Sequence, residues 1–222
     1  RIDHDAVNKS VRGLVIEHAS ENQLGFSESF KNAHADGGGW IYNGLTRASE
    51  DKVSPSGELV ATTLIAEKDN ASIIYAKPSQ TIEERTFSCW LRSSQDTDNI
   101  EYTVDGGTTW QSFVVSRYWQ RYFWPLAAAR HQIGFRVLKA SQSVELWGAQ
   151  LEKGRCATSY IPTERGISKR SEDAVMVIDS ELDTLDLRIF DIETQGIAII
   201  DYKVGKELSR RNIAINGWRG IR

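Results

Sequence analysis

The chain has 222 residues, with 40% hydrophobic and 26% charged, a balance that is ordinary for a globular protein. That length allows one large β domain, or a domain with an appendage. The formal net charge of −3 argues against a nucleic-acid-binding protein, which usually carries a basic face. No apolar run approaches the roughly 18 residues of a membrane span, so we expect no membrane insertion.

Cysteines and histidines give little reason to expect a metal site. The four histidines show no ligand spacing with one another or with cysteine. Cys89 and Cys156 lie in apolar strand contexts, which favours buried thiols, with a single disulfide as the alternative. Asp3, His4 and Asp5 are interpreted as a polar turn, because calcium sites usually need more oxygen ligands in one loop. The sequence therefore predicts no metal and no cofactor.

The first third of the chain is rich in loops. An apolar patch at 11–17 is readable as a short strand, and a turn at 54–57 precedes strand patterns at 59–64 and 72–75. The glycine triplet at 37–39 is too short and too unlike a strand–turn–helix unit to cradle a phosphate. We interpret it as a flexible turn that presents the aromatic residues following it.

Residues 86–92 alternate cleanly between apolar and other side chains. Phe87, Cys89 and Leu91 share one face of the predicted strand, and Trp90 lies on the opposite face. One face of this strand is therefore expected to be buried.

The sharpest hairpin signal joins 100–104 to 108–115 through Asp105-Gly106-Gly107, because these residues supply the positive φ of a tight turn. The same turn resembles the Asp-box of sialidase-type propellers, where it is a structural element that recurs several times. A single copy does not support a propeller. Further strands are predicted in three stretches: 119–126, 132–138 and 144–151.

Strands recur every ten to fifteen residues from about 59 to 151 with no long helical pattern between them. This spacing predicts an all-β fold, an antiparallel jelly-roll β-sandwich. Past Pro162 the composition changes to a basic and then acidic stretch, followed by β-branched runs. We therefore predict a jelly-roll domain at 1–163, a linker at 164–173 and a partial or small β-rich unit at 174–222. The chain begins at Arg and stops abruptly, so we expect it to be a piece of a longer polypeptide.

Seven short stretches, in the same order along the chain, carry a resemblance to one group of proteins. The last of them is long and specific, and the others are individually weak but collinear. They are Arg1-Ile2-Asp3-His4-Asp5, Gly13-Leu14-Val15-Ile16-Glu17-His18-Ala19 with Asn22, Ser27-Glu28-Ser29-Phe30-Lys31-Asn32, Pro55-Ser56-Gly57, Thr86-Phe87-Ser88, Trp119-Gln120-Arg121, and Trp147 through Thr163.

In these stretches the chain resembles bacteriophage tail-fibre, tailspike and head-fibre virion proteins that carry a jelly-roll domain like those of carbohydrate-binding modules. The resemblance covers residues 1 to about 175, and the glycine-rich 31–45 loop departs from it. It implies a structural and adhesive role in the virion, with assembly in the bacterial host cytoplasm. The expected partners are other copies of the chain, most often as a trimer, other virion proteins and host-surface polysaccharide.

Glycan binding needs exposed aromatic faces flanked by planar polar groups. A sheet core and a subunit interface are equally good explanations for the dense aromatic run at 118–124. The candidate glycan-binding residues are Trp40, Tyr42, Trp90, Tyr122, Trp124 and Arg121. The residues of the final motif are expected to be structural: Trp147, Gly148, Gln150, Tyr160 and Pro162.

No catalytic constellation stands out. A glycan hydrolase would need two carboxylates facing each other across a cleft, and no pair can be singled out. Asp201-Tyr202-Lys203 faintly resembles a nuclease core, but such a short pattern occurs often by chance. The sequence therefore predicts a non-enzymatic phage virion protein that attaches to host glycans. The alternatives are a purely architectural decoration, head-fibre or connector domain and, as a weaker third, a tailspike hydrolase.

Overall fold

The structure is a computed structural model in which the described backbone covers ten stretches of the chain. Every regular element in them is a β-strand. Side chains are described for 16–31, 38–47, 52–94, 98–173 and 206. The ten described stretches are 2–4, 11–14, 16–31, 38–47, 52–94, 98–176, 184–191, 196–203, 206–209 and 219–220.

The strands are numbered along the chain. They are β1 (Ile2–His4), β2 (Val11–Leu14), β3 (Ser20–Asn22), β4 (Trp40–Asn43), β5 (Leu45–Arg47), β6 (Lys52–Val53), β7 (Leu59–Ala66), β8 (Ala71–Tyr75), β9 (Glu83–Ser93), β10 (Asp98–Thr103), β11 (Gln111–Val115), β12 (Gln120–Ala129), β13 (Gly134–Val137), β14 (Ser143–Lys153), β15 (Ser168–Arg170), β16 (Ala174–Met176), β17 (Thr184–Asp191), β18 (Gly196–Lys203), β19 (Glu207–Ser209) and β20 (Arg219–Gly220).

Eight consecutive strands pair as a hairpin folded over on itself. β10 pairs with β11, β9 with β12, β8 with β13 and β7 with β14, all antiparallel. These four pairs alternate between two sheets. The five-stranded sheet has the order β11-β10-β13-β8-β4. The six-stranded sheet has the order β12-β9-β14-β7-β5, with β6 also paired to β7. Nested pairing across two sheets is the jelly-roll topology, so the predicted fold class is confirmed.

The core lies between the five-stranded and the six-stranded sheet. Phe87, Cys89 and Leu91 point into it from β9 and are fully buried, as their alternation predicts. Burial raises the pKa of the Cys89 thiol, which therefore stays protonated and packs as a small apolar group. The opposite face of the six-stranded sheet, turned away from the five-stranded one, is called the outer face below.

Residues 156–163, here called the closing segment, lie across the outer face and are held by two buried side chains of β14. Gln150 Oε1 accepts a hydrogen bond from the Ile161 N–H at 2.7 Å, and Gln150 Nε2 donates to Glu152 Oε1 at 2.8 Å. Glu152 in turn accepts from the Thr158 N–H at 2.9 Å and from Thr158 Oγ1 at 2.6 Å. Tyr160 packs on Trp147 with ring centroids 4.5 Å apart.

Gly148 allows the turn of β14 beneath this segment. Its φ is +67°, and an added Cβ would lie 3.2 Å from Trp90 and 3.3 Å from the Tyr160 ring. The pairing of β14 with β9 shifts register between Trp147 and Gln150, so a bulge lies at this point. A larger residue here would strain the backbone and displace the closing segment.

Asn22 joins three parts of the sandwich. Its Nδ2 donates to the Ala149 carbonyl at 2.9 Å and to the Ile161 carbonyl at 3.0 Å. Its Oδ1 accepts from the N–H groups of Leu24 and Leu151, each at 3.1 Å. The residue is fully buried, so each bond replaces one that water would otherwise supply.

The predicted hairpin between β10 and β11 is present, and its turn is closed by side chains. Asp105 accepts hydrogen bonds from the Thr109 N–H at 2.9 Å, from Thr109 Oγ1 at 2.6 Å and from Thr103 Oγ1 at 2.8 Å. The Trp110 indole N–H donates to the Gly107 carbonyl at 3.0 Å. The Asp-box-like sequence is therefore a self-contained turn.

The chain divides into two compact units, residues 21–169 and residues 1–20 together with 170–222. The domain predicted at 1–163 includes residues 1–20, which the structure groups with 170–222. In the structure the Asp173 N–H donates to the Glu17 carbonyl at 2.8 Å, the Glu17 N–H donates to Asp173 Oδ2 at 3.0 Å, and Arg170 Nη1 lies 3.1 Å from Glu17 Oε2. This smaller unit contains the pairs β1–β2 and β16–β19 and a β17-β18-β20 sheet.

Replacing Asn22 with Ala should lower the free energy of unfolding by more than about 2 kcal/mol, because two buried N–H groups and two buried carbonyls lose a partner. Urea unfolding followed by tryptophan fluorescence measures this. Asn99→Ala, at an exposed position, should change it by no more than about 0.5 kcal/mol. Equal effects of the two substitutions would contradict the assigned role of Asn22.

The Asp105 turn should persist to lower pH than an ordinary aspartate would allow. Slight burial raises the pKa of Asp105, but hydrogen bonds from Thr109 and Thr103 more than offset this and hold it below the usual value of about 3.9. The stabilisation is present above that value and is lost as pH falls through the lowered pKa. An NMR titration of the Thr109 amide should give a midpoint below about 3.9. Thr109→Val should move the midpoint upward, and a midpoint that does not move would refute this cause.

Candidate functional site

The outer face carries a row of large side chains across three neighbouring strands. Trp90 of β9 pairs in register with Trp147 of β14 on one side and with Arg121 of β12 on the other. Trp147 is 7% exposed beneath Tyr160, whereas Trp90 is only partly buried. Trp90 therefore presents the accessible aromatic surface of this row.

Beside Trp90 lies a group of three side chains, Trp119, Arg92 and Glu145, here called the Trp119 stack. Arg92 is two residues beyond Trp90 on the same face of β9, and its guanidinium carbon lies 4.7 Å from the centroid of the Trp119 ring. Arg92 Nε donates to Glu145 Oε2 at 2.5 Å, and the Trp119 indole N–H donates to the Val53 carbonyl at 2.9 Å. The indole is thus fixed at two points while remaining partly exposed.

Arg121 connects β12 to β9 and to the closing segment through hydrogen bonds. Its Nη1 donates to the Thr158 carbonyl at 2.6 Å and its Nη2 to Ser88 Oγ at 2.9 Å. These bonds tie β12 to the closing segment and fix the edge of the row that contains Trp90. The guanidinium therefore organises the face more than it offers donors to a ligand.

Trp40 and Tyr42 point into the core, which corrects the expectation that the glycine-rich loop presents them to solvent. Trp40 is 0% exposed and packs against Phe30 and Tyr75, with ring centroids 5.0 and 5.3 Å away. The Tyr42 hydroxyl donates to the Phe30 carbonyl, and burial raises the pKa of Tyr42. Trp40 therefore offers no face for a sugar, and the partly buried Tyr42 ring packs against the core and lies off the outer face.

Tyr122 and Trp124 also point between the sheets. Trp124 stacks on Tyr102 with ring centroids 4.4 Å apart and on Phe87 at 5.3 Å. Tyr122 contacts Phe113 of the five-stranded sheet, with ring centroids 5.3 Å apart. Of the six candidate residues, only Trp90 and Arg121 lie on the outer face.

Trp119, Arg92 and Glu145 were not selected from the sequence, although one signal for Trp119 was present. Strand alternation places Trp119, Arg121 and Phe123 on one side of the chain, opposite Tyr122 and Trp124. The alternation does not say which side is buried, because that depends on the sheet packed against it. The Trp119 stack itself joins residues from different strands and leaves no local pattern.

The described side chains contain no group of three or more His, Cys, Asp or Glu that would hold a metal ion. Within the same described part of the chain, no helix is long and apolar enough to cross a membrane. Asp201-Tyr202-Lys203 lies in β18, where side chains fall outside the described residues. The outer face combines flat aromatic surface with an arginine–glutamate pair, a set of groups suited to stacking and hydrogen bonding with a sugar ring.

The chain matches no protein-family model and no curated protein. It is similar to several solved structures. The C-terminal CBM6 of LamC, a marine laminarinase from Zobellia galactanivorans, is 10% identical with a TM-score of 0.38, over 61% of this chain and 100% of that one.

A carbohydrate-binding module of Cellvibrio mixtus lichenase 5A, in complex with cellotriose, is 12% identical with a TM-score of 0.38, over 60% of this chain and 96% of that one. The enzymatically active domain of bacteriophage CBA120 tailspike protein 4 is 11% identical with a TM-score of 0.38, over 59% of this chain and 21% of that one. At such TM-scores the similarity by itself assigns neither a family nor a function to this chain.

Proposed function

We propose that the chain is a non-enzymatic structural module of a bacteriophage virion that attaches to a host-surface glycan through the outer face of its six-stranded sheet. The observation that carries the proposal is the neighbouring pair of partly exposed indoles, Trp90 and Trp119, with the Arg92–Glu145 ion pair beside them. Sugar rings bind by stacking an apolar face on an aromatic ring while their hydroxyls hydrogen-bond planar polar groups.

The virion assignment is supported by the order of the seven sequence stretches that resemble phage fibre and tailspike proteins. Five residues of the last stretch, Trp147, Gln150, Glu152, Thr158 and Tyr160, make the contacts that hold the closing segment. The last stretch therefore has a structural role, because its residues hold the closing segment against the jelly roll that carries the outer face. We infer that the chain assembles in the bacterial host cytoplasm and is carried on the virion.

The proposed module works by adhesion, with no bond made or broken. A shallow face with two indoles is expected to bind one sugar chain weakly, because few groups are fully desolvated. Assembly as a homo-oligomer, a trimer in the fibre arrangement, together with other virion proteins would offset this weakness. Several linked sites gain avidity by factors of roughly 10² to 10⁴ when they can engage one surface together.

A second candidate function, assembly alone, is supported by a different observation. Phe123 is 58% exposed on the outer face, and Tyr118, two residues before β12, is 68% exposed. Large exposed apolar side chains of this kind favour a protein interface, where Tyr and Phe are enriched. In that case the outer face would be covered by another virion subunit, and the aromatic residues would serve assembly.

Substituting Trp119 with Ala, or Trp90 with Ala, should weaken glycan binding by about tenfold or more, because truncating a central aromatic residue commonly costs more than about 1.4 kcal/mol. The measurement is calorimetric titration with the strongest binder from an array of bacterial surface oligosaccharides. Trp119→Phe should retain most of the affinity, because the stacking surface remains.

Trp110→Ala is the matched control. Trp110 stacks on Arg136, 4.6 Å from the ring centroid, and Arg136 Nε donates to Glu101 at 2.6 Å, which repeats the Trp–Arg–Glu arrangement on the five-stranded sheet. Loss of binding in Trp110→Ala but not in Trp119→Ala would contradict the proposed face. If the chain binds no sugar on the array and Phe123→Ser prevents oligomerisation, the second candidate function, assembly alone, would be favoured. Loss of polysaccharide viscosity on incubation would show a hydrolase.

A further inference from the structure

A cleft of about 380 Å3 opens at the opposite end of β9 from the Trp119 stack. Arg85 at its base and Arg92 in the stack are seven residues apart on one strand, or roughly 23 Å at the usual rise. The walls come from the segment after β8, the ends of β3 and β14, and residues 165–167. Its volume falls in the roughly 300–1,000 Å3 range of small-ligand pockets.

Arg85 is an unusual residue for this position. The alternation of β9 points it inward with Phe87, and its side chain is 0% exposed. Its guanidinium donates to Gln23 Oε1 at 3.0 Å, to the Thr81 carbonyl at 3.0 Å and to Thr81 Oγ1 at 2.7 Å, with a further bond to the Ala129 carbonyl at 3.2 Å. The group is held rigidly, and most of its bonds go to neutral acceptors.

The charge of Arg85 is only partly compensated. Glu83 Oε2 lies 3.5 Å from Arg85 Nη2, but Glu83 also pairs with Lys153 Nζ at 3.0 Å and is partly exposed. Burial lowers the pKa of Arg85, yet an arginine stays protonated at neutral pH. A fixed positive charge therefore lies at the base of the cleft, where low exposure strengthens its field.

The lining adds to this positive charge. Arg165 and Lys77 border the cleft together with Arg85, and Glu21 is the one carboxylate among the described residues of the lining. Lys153 also belongs to the lining, but its charge is offset by Glu83 at 3.0 Å. Glu21 attracts the Arg85 guanidinium and also lies 3.7 Å from Lys169 Nζ, so its charge is shared between a cation of the lining and one outside it. The chain as a whole is negative, with a net charge of −3, so the cationic lining is a local departure from the rest of the surface.

The remaining lining suits a sugar ring. Pro78 and Ile167 contribute exposed apolar surface to the lining, and Gln80 contributes an exposed amide. The lining therefore combines apolar surface that can contact a sugar ring, an amide that can bond its hydroxyls, and positive charge that can attract a carboxylate.

We propose that this cleft binds a carboxylate-bearing saccharide unit, such as a uronic acid, with the carboxylate contacting the exposed side chains of Arg165 and Lys77 above the buried charge of Arg85. The site is separate from the outer face, and its existence does not depend on glycan binding there. A fibre module with both sites would bind an acidic polysaccharide at two points roughly 23 Å apart along β9.

The test uses the full chain and two sugars that differ only at one carbon, methyl glucuronide and methyl glucoside. In a ¹H–¹⁵N NMR titration, the glucuronide should shift the amides of Gln80 and Gly166 saturably at millimolar concentration. It should bind at least about tenfold more tightly than the glucoside, because the carboxylate supplies the charged contacts. Raising the salt concentration should weaken the binding.

Arg165→Gln and Lys77→Gln should each reduce the affinity for the glucuronide several-fold. Lys139→Gln is the matched control, since Lys139 is 78% exposed and pairs with Asp69 away from the cleft. Unchanged amide spectra for the remaining residues establish that the variants are folded. Trp119→Ala should leave the glucuronide shifts intact, which separates this site from the outer face.

Equal binding of the two sugars, or shifts confined to amides elsewhere, would overturn the proposal. So would inorganic phosphate binding more tightly than the glucuronide at the same amides, because the cleft would then be a simple anion site. An Arg165→Gln variant that binds the glucuronide normally would also refute it.

Discussion

The amide side chain of Asn22 is the contact on which the remaining architecture depends, because its four hydrogen bonds reach three separate stretches of chain. They join β3 to the bulged part of β14 and to the closing segment at Ile161. An aspartate would place a second acceptor against two carbonyls, and an alanine would remove one partner from each of four backbone groups. Gln150 and Glu152 extend the same network along β14, so that one continuous set of buried bonds fixes the closing segment.

That network positions both proposed binding surfaces. The closing segment packs Tyr160 over Trp147 and receives the Arg121 guanidinium, which leaves Trp90 as the accessible aromatic residue of its row. At the other end of the strands, the same β9 and β14 deliver Arg85 and Lys153, paired in register, to the cleft. A jelly roll closed in this way offers a flat aromatic face and a charged cleft on one rigid frame.

Local patterns predicted the fold better than the site. The alternation at Phe87, Cys89 and Leu91, the Asp105 hairpin and the regular strand spacing each depend on neighbouring residues, and the structure contains all three. The position of Trp40 does not follow from its glycine-rich approach, because burial is decided by Phe30 and Tyr75, which arrive from distant parts of the chain. The Trp119 stack and the Arg85 cleft likewise join residues far apart in sequence, so no local spacing pattern predicts either of them.

The most direct test of glycan attachment through the outer face is an experimental structure of the chain in complex with an oligosaccharide from its host surface. We predict a sugar ring stacked on Trp90 or Trp119, with a hydroxyl hydrogen-bonded to Arg92 or Glu145. A sugar bound elsewhere, or an outer face covered by a neighbouring subunit that leaves no room for a ring, would contradict the proposal.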